Sequence, residues 1–167
     1  IDLKRESIRN SPEFDPGAAA KLLDAAGWAK GSDGYRAKDG KRLTIVYPIT
    51  TKGPGHELLQ AELKDVGIEL TLTVYQAADR TKILSEGKYD LIDTYFTRGD
   101  PGVLQWILDA KVAGSVALAK NTQTAEQAAK VTELFTAGVT GADDAARAKT
   151  YADLQQYLLD QVITIPV

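Results

Sequence analysis

The stretch from Leu43 to Val74 constrains the fold more than any other part of this chain. Leu43 to Tyr47 is a short apolar run of strand type, followed by a glycine- and proline-rich loop, Thr50 to Gly55. Leu59, Leu63 and Val66 then recur at helical spacing, which predicts a second helix running to Val66. Gly67 can take the left-handed conformation that ends a helix, with Ile68 placed to fold back on Leu63. From Ile68 to Tyr75 the period changes to two. Ile68, Leu70, Leu72 and Val74 fall on one side, and Glu69, Thr71, Thr73 and Tyr75 on the other. A strand–helix–strand unit crosses over the sheet right-handed, so its two strands run parallel.

Residues on either side fit that frame. Ile1 to Glu13 are polar and mixed, a connector. Asp15 is a good N-cap and Pro16 suits the first helical position, where its missing N–H has no partner to lose. Ala19, Leu22, Leu23 and Ala26 form one apolar face of this first helix, which Gly27 ends with Trp28 folded back on Leu23. Asp39-Gly40 between Tyr35–Lys38 and Lys41–Tyr47 predicts a hairpin, because a type I′ turn needs two positive φ values.

A short helix from Asp79 to Glu86, stopped by Gly87, leads into Tyr89 to Pro101. That run starts apolar and ends in a polar corner, and it reads as a third strand buried on both faces. Three strands alternating with two helices argue for an α/β layer structure. Ligands of open α/β sheets bind beyond the carboxyl ends of the strands, which points to Phe96–Asp100. Further on, Trp106, Ile107 and Leu108 suggest one helix. Thr124 and Gln127 form a capping-box pair before a helix to about Ala137. Asp143 caps a longer helix through about Asp160, with Tyr151, Leu154 and Leu158 inward, and the β-like VITIPV closes the chain.

Composition removes several function classes. The 167 residues are 44% hydrophobic, enough for one domain with a real core. A formal charge of -3 and the lack of a Lys/Arg run argue against nucleic acid as a partner. With no cysteine there is no disulfide framework, thiolate zinc site or cysteine nucleophile. The single histidine, His56, stands near the start of the second helix, where a surface or capping role is expected; no second histidine could complete a zinc site. The loop TKGPGH lacks the Lys-Ser/Thr ending of a phosphate-binding loop. Asp90 and Asp93 fall on opposite faces of a strand, so they are not a paired acid and base. No catalytic residue, metal ligand or cofactor site stands out. There is no methionine and the start carries no signal sequence, so the chain reads as an internal fragment with any targeting or anchoring signal upstream of Ile1.

Four stretches in order resemble the carboxyl-terminal lobe of extracytoplasmic solute-binding proteins of ABC transporters, family 5, the peptide/nickel-binding type. They are FDPGAAAKLLDAAGW with DGYRAKDGKRLTI, LLQAELKDVGIELTLTVYQ, EGKYDLIDTYFTRGDP and RAKTYADLQQYLLDQVITIPV. The resemblance implies an α/β lobe of the type II periplasmic-binding-protein class, residues 1–167 as a single domain, with a mainly parallel sheet flanked by helices. It implies a non-enzymatic monomer, without cofactor, that takes a small solute (peptide or other) between two lobes and passes it to a membrane permease. The place implied is extracytoplasmic, periplasmic or on a cell-surface lipoprotein. The alternative is a ligand-sensing domain of the same fold in a regulator or receptor. Ligand contact is expected at Gln76, Phe96, Thr97, Arg98 and Asp100. Peptide binders carry a tryptophan six residues past the position of Asp90, here Phe96, and an amine-binding aspartate three further on, here Gly99. An upstream aromatic of peptide binders falls on Ala77. These departures leave sugars, opines, metal chelates and anionic solutes open beside peptides.

Overall fold

The computed structural model describes residues 13–94, 101–112 and 121–165. Contacts gather into two compact units, residues 13–94 and residues 95–167 together with 1–12.

In the first unit, helix α1 (Pro16–Ala25) begins as the sequence indicates. The Asp15 carboxylate accepts the Ala18 amide at 2.8 Å, and Pro16 opens the helix. Its end is a left-handed glycine, Gly27 at φ 85°, closed by the bond from Trp28 N–H to Leu23 C=O at 2.9 Å. The apolar face expected on this helix is not buried among the described residues: Leu22 is 72% exposed. α1 is anchored by its carboxyl end instead. Three short strands, β1 (Ala29–Lys30), β2 (Arg36–Lys38) and β3 (Lys41–Arg42), form an antiparallel sheet in that order. The β2–β3 turn has positive φ at both central residues, 52° at Asp39 and 73° at Gly40, the mirror-image geometry of a tight hairpin.

This small sheet is a capping plate for two helices. Lys38 donates to Ala26 C=O and Lys30 to Asp65 C=O, both at 2.9 Å. Arg36, only 4% exposed, donates Nε to Val66 C=O at 2.7 Å and Nη1 to Trp28 C=O at 2.6 Å. It also pairs with Asp24. Cations at helix carboxyl ends satisfy the last carbonyls and oppose the negative end of the macrodipole.

Strand β4 (Thr44–Ile49) pairs in parallel with β5 (Glu69–Val74), Thr44 opposite Glu69 and Ile49 opposite Val74. Helix α2 (Pro54–Asp65) connects them and ends at Gly67, φ 92°, with Ile68 N–H bonded to Leu63 C=O at 2.8 Å. The strand starts one residue later and runs two residues further than the Leu43–Tyr47 expectation, passing through Pro48. The helix likewise begins inside the expected Thr50–Gly55 loop. β5 keeps its alternation from Leu70 through Thr73 but loses it at the end, where Val74 is 64% exposed and Tyr75 is buried. A 3₁₀ turn (Ala77–Asp79) and helix α3 (Arg80–Glu86) follow, stopped by Gly87 at φ 63°.

The expected third strand does not form a ladder over residues 89–94, and among the described residues the sheet is therefore not mainly parallel: the parallel part there is one pair, beside the antiparallel three. The reason lies on the free edge of β4. Asp90 and Leu91 N–H both donate to Val46 C=O, at 2.9 and 3.1 Å, while the Asp90 carboxylate takes the Val46 N–H at 2.8 Å. A side chain occupies the place of a ladder carbonyl. Two residues on, Pro48 faces the same edge and has no N–H to offer. Residues 95–100, the corner itself, lie outside the described residues.

The second unit is helical over its described residues. A 3₁₀ turn (Pro101–Leu104) runs into the short α4 (Gln105–Leu108), where a single helix was expected. Helix α5 (Ala125–Thr140) opens with the capping box: Thr124 and Gln127 exchange bonds of 2.8 and 3.2 Å, and the helix runs three residues past Ala137. Helix α6 (Asp144–Asp160) starts on the Asp143 cap. Val131, Phe135, Tyr151, Leu154 and Leu158 are buried along the α5–α6 contact. Gly138 lets the Tyr151 ring approach the α5 backbone. The closing β-like segment is not a strand over residues 162–165; it leaves α6 through a left-handed Val162 at φ 52°.

Candidate functional site

The carboxyl ends of β4 and β5 lie side by side because the two strands are parallel and in register. The segments leaving these two ends therefore start from one end of the unit. Gln76, the expected site residue among those described, is the first residue past Tyr75. It is exposed, and its C=O accepts the Asp79 N–H at 2.8 Å to start the 3₁₀ turn, which leaves its side chain outside that bond. Phe96, Thr97, Arg98 and Asp100 lie outside the described residues.

After β4 the chain turns at Gly53, where His56 closes the start of α2. Its Nδ1 accepts the Gly53 N–H at 3.1 Å while the His56 N–H donates to Gly53 C=O at 3.0 Å. This reciprocal pair is the capping role expected for the histidine. Its imidazole sits 5.7 Å, centroid to centroid, from the Tyr47 ring at a tilt of 55°.

Past β5, Arg80 joins two chain segments. Nη1 donates to the Tyr75 hydroxyl and Nη2 to the Asp93 C=O, each at 3.0 Å. Tyr75 is buried and Asp93 exposed. Burial raises the Tyr47 hydroxyl above its ordinary ionisation range, and the charges of Asp93 and, less, Tyr75 push it the same way. Tyr47, His56, Tyr75, Arg80 and Asp93 thus form one connected group at the strand ends. Sequence alone did not single out Tyr47, Tyr75 or Arg80, and it weighed Asp93 only to set it aside as an acid–base partner of Asp90. The signal available was positional for Tyr75, which stands just past the carboxyl end of β5, whereas Tyr47 lies inside β4 opposite Leu72.

A separate depression of about 380 Å³ is lined by Tyr35, Gln60, Lys64, Ile68 and Leu70 among others. It opens at the amino half of β5, the wrong end of the sheet for a ligand of an open α/β fold. Tyr35 there carries Arg42 at 4.7 Å and Lys64 at 5.8 Å from its ring centroid. Among the described residues no group of three His, Asp or Glu is placed to hold a metal ion.

Residues 4–113 match the family model of bacterial extracellular solute-binding proteins, family 5 (middle). The chain is 32% identical over 151 residues to Protein XP55 of Streptomyces lividans, covering 87% of this chain and 27% of that protein. Among solved structures it is similar to NikA from Brucella suis in complex with Fe(III)-EDTA, with 28% identity and a TM-score of 0.73 over 92% of this chain and 34% of that one. A periplasmic oligopeptide-binding protein from Thermotoga maritima, solved with mannohexaose bound, shares the fold at a TM-score of 0.73 and 21% identity, over 97% of this chain and 32% of that one. The chain spans about a third of the length of these structures. Its α/β arrangement is that of part of a type II periplasmic binding protein.

Proposed function

Because the chain belongs to the bacterial extracellular solute-binding proteins, family 5, a non-enzymatic family, we propose that it is one lobe of a larger binding protein that closes on a small solute outside the cytoplasm and hands it to an ABC importer. Supporting this most directly is the family match across residues 4–113, which contains the parallel β4–β5 pair and the convergence at its carboxyl ends. Closure is a population shift: solute contacts to both lobes stabilise the closed state, so one lobe alone binds weakly.

In this reading Gln76, Phe96, Thr97, Arg98 and Asp100 contact the solute. Phe96 supplies an apolar wall and Arg98 and Asp100 supply charge beside it. Solved relatives span metal chelates, a nickel–histidine complex, peptides and oligosaccharides, so the solute class is set by this chain's own side chains.

The test is a thermal-shift screen of the full-length protein against peptides, oligosaccharides and metal chelates. A solute at 100 times its Kd stabilises the native state by about 2.7 kcal/mol, a readily measured rise in Tm. Phe96→Ala and Arg98→Ala are expected to weaken the hit by about ten-fold or more. A panel-wide absence of shifts, or a hit indifferent to both substitutions, would count against the reading.

A further inference from the structure

Past Leu91 the chain loses its hold on β4, where Pro48 has no N–H to offer and the Asp90 carboxylate has taken the Val46 N–H. Among the described residues, residues 92–94 take part in one hydrogen bond, from Arg80 Nη2 to the Asp93 C=O at 3.0 Å. The other arm of the guanidinium stands on a fixed post. Nη1 donates to the Tyr75 hydroxyl at 3.0 Å, and Tyr75 is buried with its own N–H on the Ile49 C=O at 2.9 Å. Arg80 also closes the turn that carries Gln76: its N–H bonds the Ala77 C=O, just after the Asp79 N–H bonds the Gln76 C=O. One residue therefore ties the Gln76 turn and the 92–94 segment to the same buried tyrosine.

We propose that Arg80 is a positioning residue of the solute site. It acts through Tyr75 and Asp93 instead of touching the solute, and holds the Gln76 turn and the chain leading to Phe96 in fixed relation. The inference rests on the solute-binding reading and adds to it the residue that preorganises this lobe's contacts. A surface turn and a segment without a ladder would otherwise be ordered by the solute, at a cost in affinity. The planar guanidinium suits this task because its two amino groups reach a hydroxyl and a carbonyl together. A lysine keeps the charge but is a compact ammonium on a flexible stem, without that fork.

Isothermal titration calorimetry of the full-length protein with trialanine, maltotriose, the nickel(II)–histidine complex and Fe(III)-EDTA identifies a probe that binds. For that probe Arg80→Lys is expected to weaken affinity about ten-fold and Tyr75→Phe about three-fold, the double variant being no weaker than Arg80→Lys alone. Solute-free melting temperatures are expected to stay within about 2 °C of wild type, while amide hydrogen exchange in Arg80→Lys becomes faster over residues 90–94. Arg42→Lys breaks a comparable bridge, 3.1 Å to Glu69 at the other end of β5, and is expected to leave affinity unaltered. An affinity unaltered in Arg80→Lys, or an equal loss in Arg42→Lys, overturns the positioning role and leaves solute binding standing. A loss in Arg80→Lys with exchange over residues 90–94 unaltered also overturns it, by making Arg80 a direct solute contact. Binding of none of the four probes overturns both.

Discussion

The aliphatic stem of Arg36 lies directly against the backbone of Gly67: a Cβ built on that glycine would come within 2.6 Å of Arg36 Cγ. Gly67 also sits at φ +92°, where an L side chain is strained. The two residues are one device. Gly67 ends α2 and clears room for the guanidinium that takes Val66 C=O, Trp28 C=O and Asp24, tying the ends of α1 and α2 to the antiparallel sheet.

Gly67→Ala is therefore expected to destabilise by about 2–4 kcal/mol, combining left-handed strain with a clash against a buried side chain. Arg36→Lys should cost a similar amount, because an ammonium cannot reproduce the fork of donors that spans two helix ends. Urea denaturation monitored by circular dichroism measures both. If Arg36→Lys loses less than about 0.5 kcal/mol, the capping plate is not what anchors α1.

A second close approach has opposing terms. Gly138 lies inside α5, where alanine is favoured by about 1 kcal/mol, but a Cβ there would meet Tyr151 Cζ at 2.9 Å. Tyr151 is 3% exposed and has nowhere to swing. Overpacking of this kind costs about 1–3 kcal/mol, so Gly138→Ala is expected to destabilise by about 1 kcal/mol net. Adding Tyr151→Leu should remove the penalty of the alanine, although Tyr151→Leu is itself costly. A double-mutant cycle reads the coupling, and additivity of the two substitutions would contradict it.

The features legible in the sequence were those set by local rules. Asp15, Gly27, Asp39-Gly40, Gly67, Thr124 and Asp143 each govern a few neighbouring residues, and their turns and caps stand where the residues place them. The parallel β4–β5 pair was legible because a helical crossover leaves little choice. The third strand was not, because its fate depends on the facing edge of β4, where Pro48 offers no N–H and the Asp90 side chain takes Val46. The group at the strand ends was hidden for a related reason. Tyr47 and Asp93 are distant in sequence, and nothing local to either says that the charge of one bears on the other. Tyr75 stood on the polar side of an alternating strand, so its burial was invisible until Arg80 was placed beside it.

Val162 is a β-branched residue in the left-handed region, φ 52°, at the position after α6 that glycine usually takes. The bond from Ile163 N–H to Leu158 C=O at 2.9 Å holds the turn closed regardless. Strain of about 1–2 kcal/mol is stored there. Val162 is 70% exposed, so its side chain returns little by packing. Val162→Gly is expected to stabilise by about 1 kcal/mol, part of the relief being offset by the greater freedom of glycine in the unfolded chain. A fall in the urea midpoint would show that the valine makes a contribution its exposure conceals.

Asp109 carries a pH dependence that can be assigned in sign. Burial acts against its charge, but the Thr132 hydroxyl at 2.6 Å, Gln105 Nε2 at 2.9 Å and the Lys111 N–H at 2.9 Å all donate to it. These bonds outweigh burial and hold the carboxyl below its ordinary range. A depressed folded-state value means that unfolding takes up a proton. The associated stability is complete above the unfolded-state value of about 3.9 and is lost as pH falls through the lower folded value. Asp109→Asn keeps the shape but turns an acceptor pair into one acceptor and one donor facing three donors, a loss of about 1–3 kcal/mol at pH 7. The gap between wild type and variant should narrow as pH falls below about 4, where the wild-type carboxyl also becomes protonated. Denaturation midpoints of both proteins from pH 7 down to pH 3 measure this, and a constant gap across that range would assign the stability to packing instead of charge.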